Sequence, residues 1–303
     1  MYDVVCVGNV AIDEYYRVDR IPGVDEKVHA KYLGKVLGGT TCNTARALSN
    51  LGANGLFISR LGKDEGGAFV ERKFREINLP ARTVWMEDSG TYVTLVMVAD
   101  NGEKAILLLT PPSPKADTLD NLPVEETRVV FSTGDQPDLK YIERFTAPIV
   151  VSLERATVEL NPAIVEWVFR HVHTLILDTR GFEAVFHREI SPEALKEVMQ
   201  APSFAMENIV VTLGSKGSIA CTRSSGGVVF SGAYPVRPVD TTGAGDIFCA
   251  AFMYGFFKNG LSLKQSLNFG NAIAAASCED LGPELTQGAI QKAHEFLAAN
   301  GNV

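Results

Sequence analysis

The period of the hydrophobic pattern changes several times along the chain, and each change marks an element. Val4 to Gly8 is an almost unbroken apolar run, the mark of a strand buried on both faces of a parallel sheet. From Tyr15 to Val18 and from Val28 to Val36 polar and apolar residues alternate around Ile21-Pro22-Gly23, which predicts strands with one open face. A helix is expected from Gly38-Gly39 to Leu51-Gly52, a strand over Asn54 to Arg60, and a helix from Gly67 to Ile77. Two further runs, Thr91 to Ala99 and Lys104 to Leu109, flank the hairpin signal Asp100-Asn101-Gly102. With the strands between 14 and 37, the runs within 91–109 predict a small antiparallel sheet separate from the main one.

From residue 128 the rhythm becomes strand, helix, strand: Arg128 to Ser132, a helix near Tyr141, Pro148 to Leu153, Pro162 to Arg170, Thr174 to Asp178. Such alternation predicts a parallel sheet with helices on both faces. Ile209 to Thr212 reads as a strand that turns tightly into Ser218 to Cys221. An extended run from Val228 to Val239 leads into Asp240-Thr241-Thr242-Gly243-Ala244-Gly245-Asp246 and then an apolar helix. Helices are expected over Ser262 to Cys278 and Glu284 to Asn300. The fold class is therefore α/β, three layers around a mostly parallel sheet. No repeat, low-complexity tract or linker interrupts the chain, so residues 1–303 read as one domain.

Composition adds limits. The chain has 303 residues, 46% of them hydrophobic and 21% charged, enough for a sizeable core. Its net charge is −8 with no basic tract, so nucleic acid is not an expected partner and any anion site must be local. Five scattered cysteines without a Cys-x-x-Cys pair fit a reducing compartment. The start lacks the basic and long apolar parts of a signal peptide, and no run is long enough to span a membrane, so a cytoplasmic location is expected. There is no Gly-x4-Gly-Lys-Ser/Thr, no protein-kinase signature, no Gly-x-Ser-x-Gly elbow and no dinucleotide fingerprint after the first strand. His171 and His173 lack partners at metal spacing and read as a helix end.

The informative chemistry is the strand-to-helix turn at Asp240–Asp246. Helix-start amides have no internal partner and the helix dipole adds partial positive charge, which makes an anion site. Asp246 places a carboxylate beside it. That pair suits phosphoryl transfer to a hydroxyl; the plain alternative is a capped glycine turn. Asp13 follows the first strand, where open α/β sheets bind ligands, or is a turn residue. Gly38 and Gly39 permit close approach of a ligand, and Asn43 can donate and accept. Glu154 follows the strand ending at Leu153 and either reaches a ligand or makes a loop ion pair.

Asp-Thr-Thr-Gly-Ala-Gly-Asp at 240–246 and Gly-Gly-x-x-x-Asn-x-Ala at 38–45 together resemble the ribokinase-like (PfkB) family of carbohydrate kinases. Gly-x-Asp-x-x-Gly at 62–67 and Thr-x-Gly-x-x-Gly at 212–217 resemble further segments of it. The resemblance covers essentially the whole chain. It implies ATP-dependent phosphorylation of a small sugar or sugar derivative. A nucleoside acceptor, or a non-catalytic sugar or nucleotide sensor on the same fold, remain alternatives. In the family's pattern Asp246 is the base, and the amides of Gly243, Ala244, Gly245 and Asp246 form the anion hole. Asp13, Gly38, Gly39, Asn43 and Glu154 would contact the acceptor. Thr212, Gly214, Lys216 and Asn271 would line the nucleotide. Glu183 would help organise Mg2+ through water. Arg180 stands where the family usually has Asn, and would touch phosphate or pair with Glu183. Asp240 and Thr242 match a segment near which many members hold K+. The small sheet would be a lid and the contact of a homodimer, or a β-extension that does not move. Ala11 replaces an Asn that holds the sugar in ribokinase, so ribose is not a default acceptor. Thr40 and Thr41 bring no cation for a phosphorylated sugar, while Lys35 and Arg46 keep that question open.

Overall fold

The computed structural model describes residues 1–109, 122–134, 136–202 and 204–299. The first half of the chain supplies β1 (Val4–Val7), β2 (Ala11–Val18), β3 (Lys31–Gly38), α1 (Thr40–Asn50), β4 (Gly55–Gly62), α2 (Glu65–Glu76), β5 (Ala81–Met86), β6 (Tyr92–Ala99) and β7 (Lys104–Leu109). Then come β8 (Val130–Ser132), α3 (Gln136–Ile142), β9 (Ile149–Leu153), α4 (Arg155–Leu160), α5 (Ile164–His171), β10 (Thr174–Asp178), α6 (Thr179–Phe186) and α7 (Pro192–Met199). The remainder is β11 (Asn208–Thr212), β12 (Ser218–Thr222), β13 (Val228–Ser231), α8 (Ala244–Met253), α9 (Leu263–Ser277) and α10 (Gln287–Ala299).

The main sheet runs β13-β12-β11-β10-β9-β8-β1-β4-β5. It is parallel from β5 to β11; β12 and β13 add an antiparallel ribbon. Alternate side chains of each buried strand feed two cores, as the pleat requires. Val4 and Cys6 join α1, α2, α8, α9 and α10, while Val5 and Val7 join α3, α5, α6 and α7. Small residues let α8 and α9 approach closely: a Cβ on Gly270 would lie 2.8 Å from the Phe248 ring. From β1 the chain goes first to β4 and later to β8 on the other side. That reversal opens a crevice beyond the carboxyl ends, where this class of sheet binds ligands.

The second sheet has the order β3-β2-β6-β7. The expectation of an antiparallel sheet needs correction: β2 and β6 are parallel. Both leave the carboxyl edge of the main sheet, after β1 and β5, and so run the same way. Asp13 also moves. It lies within β2, paired with Val36 and Thr94, rather than in a loop after β1, because extended pairing begins at Ala11. The run from Val228 stops pairing at Ser231, before Pro235 and Pro238. Edge strand β5, with no fully buried residue before Met86, lacks the apolar run that reveals the inner strands. Residue 300, the expected end of the last helix, lies outside the described residues. No helix among the described residues is long and apolar enough to cross a membrane.

The Gly62–Gly67 motif roots the small sheet. Asp64 caps α2, accepting from the Gly67 amide at 2.7 Å, and also takes the Thr91 amide at 2.8 Å and the Thr91 hydroxyl at 2.7 Å. A Cβ on Gly67 would meet the Gly62 carbonyl at 2.2 Å, so the turn closes only around glycine. Burial pushes the Asp64 carboxyl up, but the Thr91 amide, the Gly67 amide, the Thr91 hydroxyl and the Gly66 amide outweigh it and hold it below its usual value. Its contribution is thus complete above about pH 4 and fades as pH falls through the lowered folded value. Asp64→Ala should cost about 1–2 kcal/mol at neutral pH, read as a lower melting temperature. The two melting curves should converge in acid.

Candidate active site

Gly243 is the N-cap of α8 and has φ 76°, a left-handed conformation natural to glycine. A Cβ there would lie 2.4 Å from that of Pro283. Among the described residues the amides of Gly243, Gly245 and Asp246 have no partner, as an anion hole needs. The expected fourth amide differs: Ala244 donates to the Thr241 carbonyl at 3.2 Å. Nothing lies within 4 Å of a Cβ built on Gly245, so the helix start opens onto free space.

Asp246 is held by α1. Asn43 Nδ2 donates to its Oδ2 at 2.8 Å, and the Thr44 hydroxyl to its carbonyl at 3.3 Å. Asn43 is 7% exposed, and its Oδ1 is buried without a hydrogen-bond partner. Burial is the main force on the Asp246 carboxyl. Asn43 opposes it, the charges of Glu154 and Asp13 add to it, and the group is pushed up to about 7. Asp246 keeps some accessible surface although its carboxyl is closely surrounded.

The small sheet stands over this point. Asp13 of β2, Thr94 of β6 and Leu108 of β7 form one rung; Tyr15, Val96 and Ile106 form the next one facing the same way. Burial raises the Asp13 carboxyl against a hydrogen bond from Thr94. A Cβ on Gly38 would strike Asp13 Oδ2 at 2.0 Å, and Gly39 caps α1 at φ 94°. Asp13, Gly38, Gly39, Asn43 and Asp246 are thus brought together.

Two cavities meet at Thr212 and Gly245. One, about 410 Å³, is lined by Ser152, Glu154, Asp178, Arg180, Asp246 and Cys249 among others. The other, about 380 Å³, runs past Gly214, Tyr234, Phe248 and Asn271 to Ala275 and Cys278. Glu154 has exposed surface, yet loss of solvent around its carboxyl, then Asp178, raises it. Arg180 points into the first cavity and makes no ion pair among the described residues, so the expected pairing with Glu183 is not formed. Glu183 is exposed on α6 and lines neither cavity, but its charge reaches Arg155, which lines the first. Lys216 is exposed and lines neither, although its neighbours Ser215 and Gly217 line the second. Asn271 lines the second cavity, but its amide donates to Ser231 and Gly232 and serves as a wall brace.

Two residues that no motif marks join the site. Lys104 of β7 places Nζ 2.9 Å from Thr242 Oγ1 and 3.2 Å from Asp240 Oδ1, at the expected cation position. Tyr15, half-buried, feels both Asp13 and Asp240. Alternation along β2 put Tyr15 on the Asp13 face; nothing local ties Lys104 to Asp240.

A doubly wound sheet, a small second sheet over its switch point and an open helix start beside it are the features of the ribokinase-like fold. The chain matches the pfkB family carbohydrate kinase model over residues 1–287 and belongs to that family. It is a phosphotransferase with an alcohol group as acceptor, one of the sugar and nucleoside kinases. It is 26% identical to the ribokinase of Lactococcus lactis, over 98% of this chain and 97% of that one. It is 25% identical to the 5-dehydro-2-deoxygluconokinase of Listeria innocua, over 90% and 89%. The structure of Arabidopsis thaliana ribokinase complexed with ribose and ATP superposes with TM-score 0.80 at 21% identity, covering 96% of this chain and 98% of that one.

The raised Asp246 carboxyl has a thermodynamic signature. Its folded value is about 7, against about 3.9 unfolded. Between those values the folded state keeps a proton that the unfolded chain has lost, so stability falls as pH rises and levels off above pH 7. Asp246→Asn lacks this slope. Its melting temperature should gain on the wild type between pH 4 and 7 and hold the gain at pH 8. A pH-independent difference would show that the carboxyl is not raised.

Proposed function

We propose that the protein transfers the γ-phosphoryl group of ATP to a hydroxyl of a small uncharged polyol, a sugar or sugar derivative, with Asp246 as general base. The observation that carries this is the Asn43–Asp246 contact at the open start of α8, where the two cavities meet. The Asn43 Oδ1 that lacks a partner suits an acceptor hydroxyl, and Asp13 offers a second hydrogen-bond site. A carboxyl near 7 takes a proton efficiently at neutral pH. The amides of Gly243, Gly245 and Asp246 would hold the charge of the phosphoryl group in flight. The second cavity would take the adenine between the Tyr234 segment and α9, with Thr212 and Gly214 at its edge. Arg180 would meet phosphate from the first cavity.

Among the described residues there is no cluster of three acidic, His or Cys groups able to cage a metal. Glu154 and Asp178 fit a hydrated Mg2+ carried on nucleotide phosphates, with Glu183 further along α6. Such an ion, when bound, would neutralise phosphate charge. The sheet over Asp13 would exclude water from the site. The five cysteines are free, which suits a cytoplasmic location.

The charge pattern supports a neutral acceptor. Asp13, Asp246 and Glu154 all carry raised carboxyls. Lys35 pairs in register with Glu14, on the face opposite Asp13, and lies over the Phe69 ring; Arg46 faces Glu284 at 3.5 Å. Lys35 thus stands on the other face of the small sheet from Asp13, and Arg46 has an acidic partner. Like charges brought together cost several kcal/mol. In an ADP-release panel, neutral sugars and nucleosides should therefore exceed phosphosugars and sugar acids by about a hundredfold or more in kcat/KM. Asp246→Asn should lower kcat by about 10²–10⁴ with little change in acceptor affinity. Near-normal turnover in that variant would remove Asp246 from the base role, and a preferred anionic acceptor would overturn the neutral reading.

We also propose the lid sheet as a homodimer contact. Edge strand β7 exposes Ile106 at 60%, Leu107 at 46%, Leu108 at 63% and Leu109 at 47%. An apolar edge of this kind is normally covered. Light scattering should report a dimer, and Leu107→Glu with Leu109→Glu should give monomers; a monomeric wild type refutes the contact.

A further inference from the structure

Lys104 stands on the rung with Val98, on the same face of the lid as Asp13 and Thr94. Across from it, the Asp240 carboxylate gathers donors. The Thr242 amide at 3.0 Å, the Thr242 hydroxyl at 2.7 Å and Lys104 at 3.2 Å reach Oδ1, and the Gly282 amide at 3.1 Å reaches Oδ2. The Thr242 hydroxyl has one proton, which goes to Asp240, so toward Lys104 it accepts. One ammonium thus bridges both oxygens. The Asp240 backbone is pinned as well: Val239 and Asp240 donate to the Cys278 carbonyl at 2.8 and 3.1 Å. Three residues further on the anion hole begins.

A monovalent cation at Asp240 and Thr242 would meet an ammonium already using the oxygens that should face it. These residues do not fit a resident K+. We infer that Lys104 is a positioning residue, the lid-borne cation of the Asp240–Thr242 loop, which makes the order of the anion hole depend on lid seating instead of on a monovalent ion. Asp240 is a negative charge close to where phosphoryl charge must pass. Its screening by Lys104 favours transfer, and this screening arrives only with the lid. The inference rests on the kinase reading proposed above.

The pair is partly exposed, with 38% of the Lys104 side chain accessible, and such pairs add little to stability. Loss of Lys104 should therefore appear in turnover. In Lys104→Met, kcat should fall about tenfold or more while the KM for ATP stays within about twofold. Potassium chloride should restore most of that loss, and choline chloride at equal ionic strength none. Lys104→Arg should keep most of the activity. Wild-type kcat should be the same in both salts. Thermal melting gives a second readout that needs no turnover: K+ should raise the melting temperature of Lys104→Met above its value in choline chloride, and leave the wild type unchanged. Wild-type activation or stabilisation specific to K+, or a Lys104→Met enzyme with wild-type kcat, would overturn the inference. If no acceptor is phosphorylated, the kinase reading fails and the melting curves still decide the role of Lys104.

Discussion

The carboxyl of Asp246 is confined where ionisation is costly, and the surroundings are arranged around that cost. Burying a charge without partners is unfavourable, and the usual outcome is a shifted pKa. Here one donor, Asn43 Nδ2, meets the carboxylate at 2.8 Å, while Glu154 and Asp13 add negative field. The group is left between two states near neutrality. That is unfavourable for the fold and useful for proton transfer. The unpaired amides at the start of α8 have the same character. They are backbone groups that an ordinary helix would cap, left open toward a cavity. Stability is supplied elsewhere, by the two apolar layers that alternate residues of β1, β4, β10 and β11 fill.

The lid depends on the main sheet for its direction. Because β1 and β5 point the same way, the strands that follow them must pair in parallel, and this places Asp13 and Thr94 side by side. The Asp64 cap then fastens the start of β6 to α2. Lid and sheet are thus tied at one root by hydrogen bonds and at the far end by Lys104. Between these two anchors lie Tyr15, Asp13 and Asn43, the groups proposed to face the acceptor.

Much of this was legible in the sequence, for physical reasons. Inner parallel strands such as Val4–Val7 and Thr174–Asp178 carry apolar runs that few other elements need. Glycines at 39 and 243 mark places where φ is positive and neighbours are close. What stayed hidden was of another kind. Period-2 alternation reports which face a residue takes, not the direction of its neighbour, so the β2–β6 pair could not be read. Asp13 reads from sequence as a loop residue, because three residues after β1 carry too little pattern to show a new strand. The Gly62–Gly67 motif was visible, but its work as cap and lid root appears only when Thr91 is seen beside Asp64. Lys104 and Asp240 are joined by a fold-level contact that no local rule predicts.

A lid that carries its own cation separates two tasks that a free ion would merge. A free ion would occupy Asp240 and Thr242 whether or not an acceptor is present, and the anion hole would then be ordered around ATP and water alone. If the small sheet moves as the inference requires, a cation fixed on β7 would come and go with the sheet that covers Asp13. If acceptor binding is what seats that sheet, the transferring site is completed only when a hydroxyl stands at Asn43 and water has been displaced. Coupling of this sort favours transfer to the acceptor over hydrolysis without any added discrimination at Asp246. It also accounts for the modest geometry of the Lys104 pair. Under that inference the contact would break at each turnover, and such a contact serves best when it is partly exposed and contributes little to the stability of the fold.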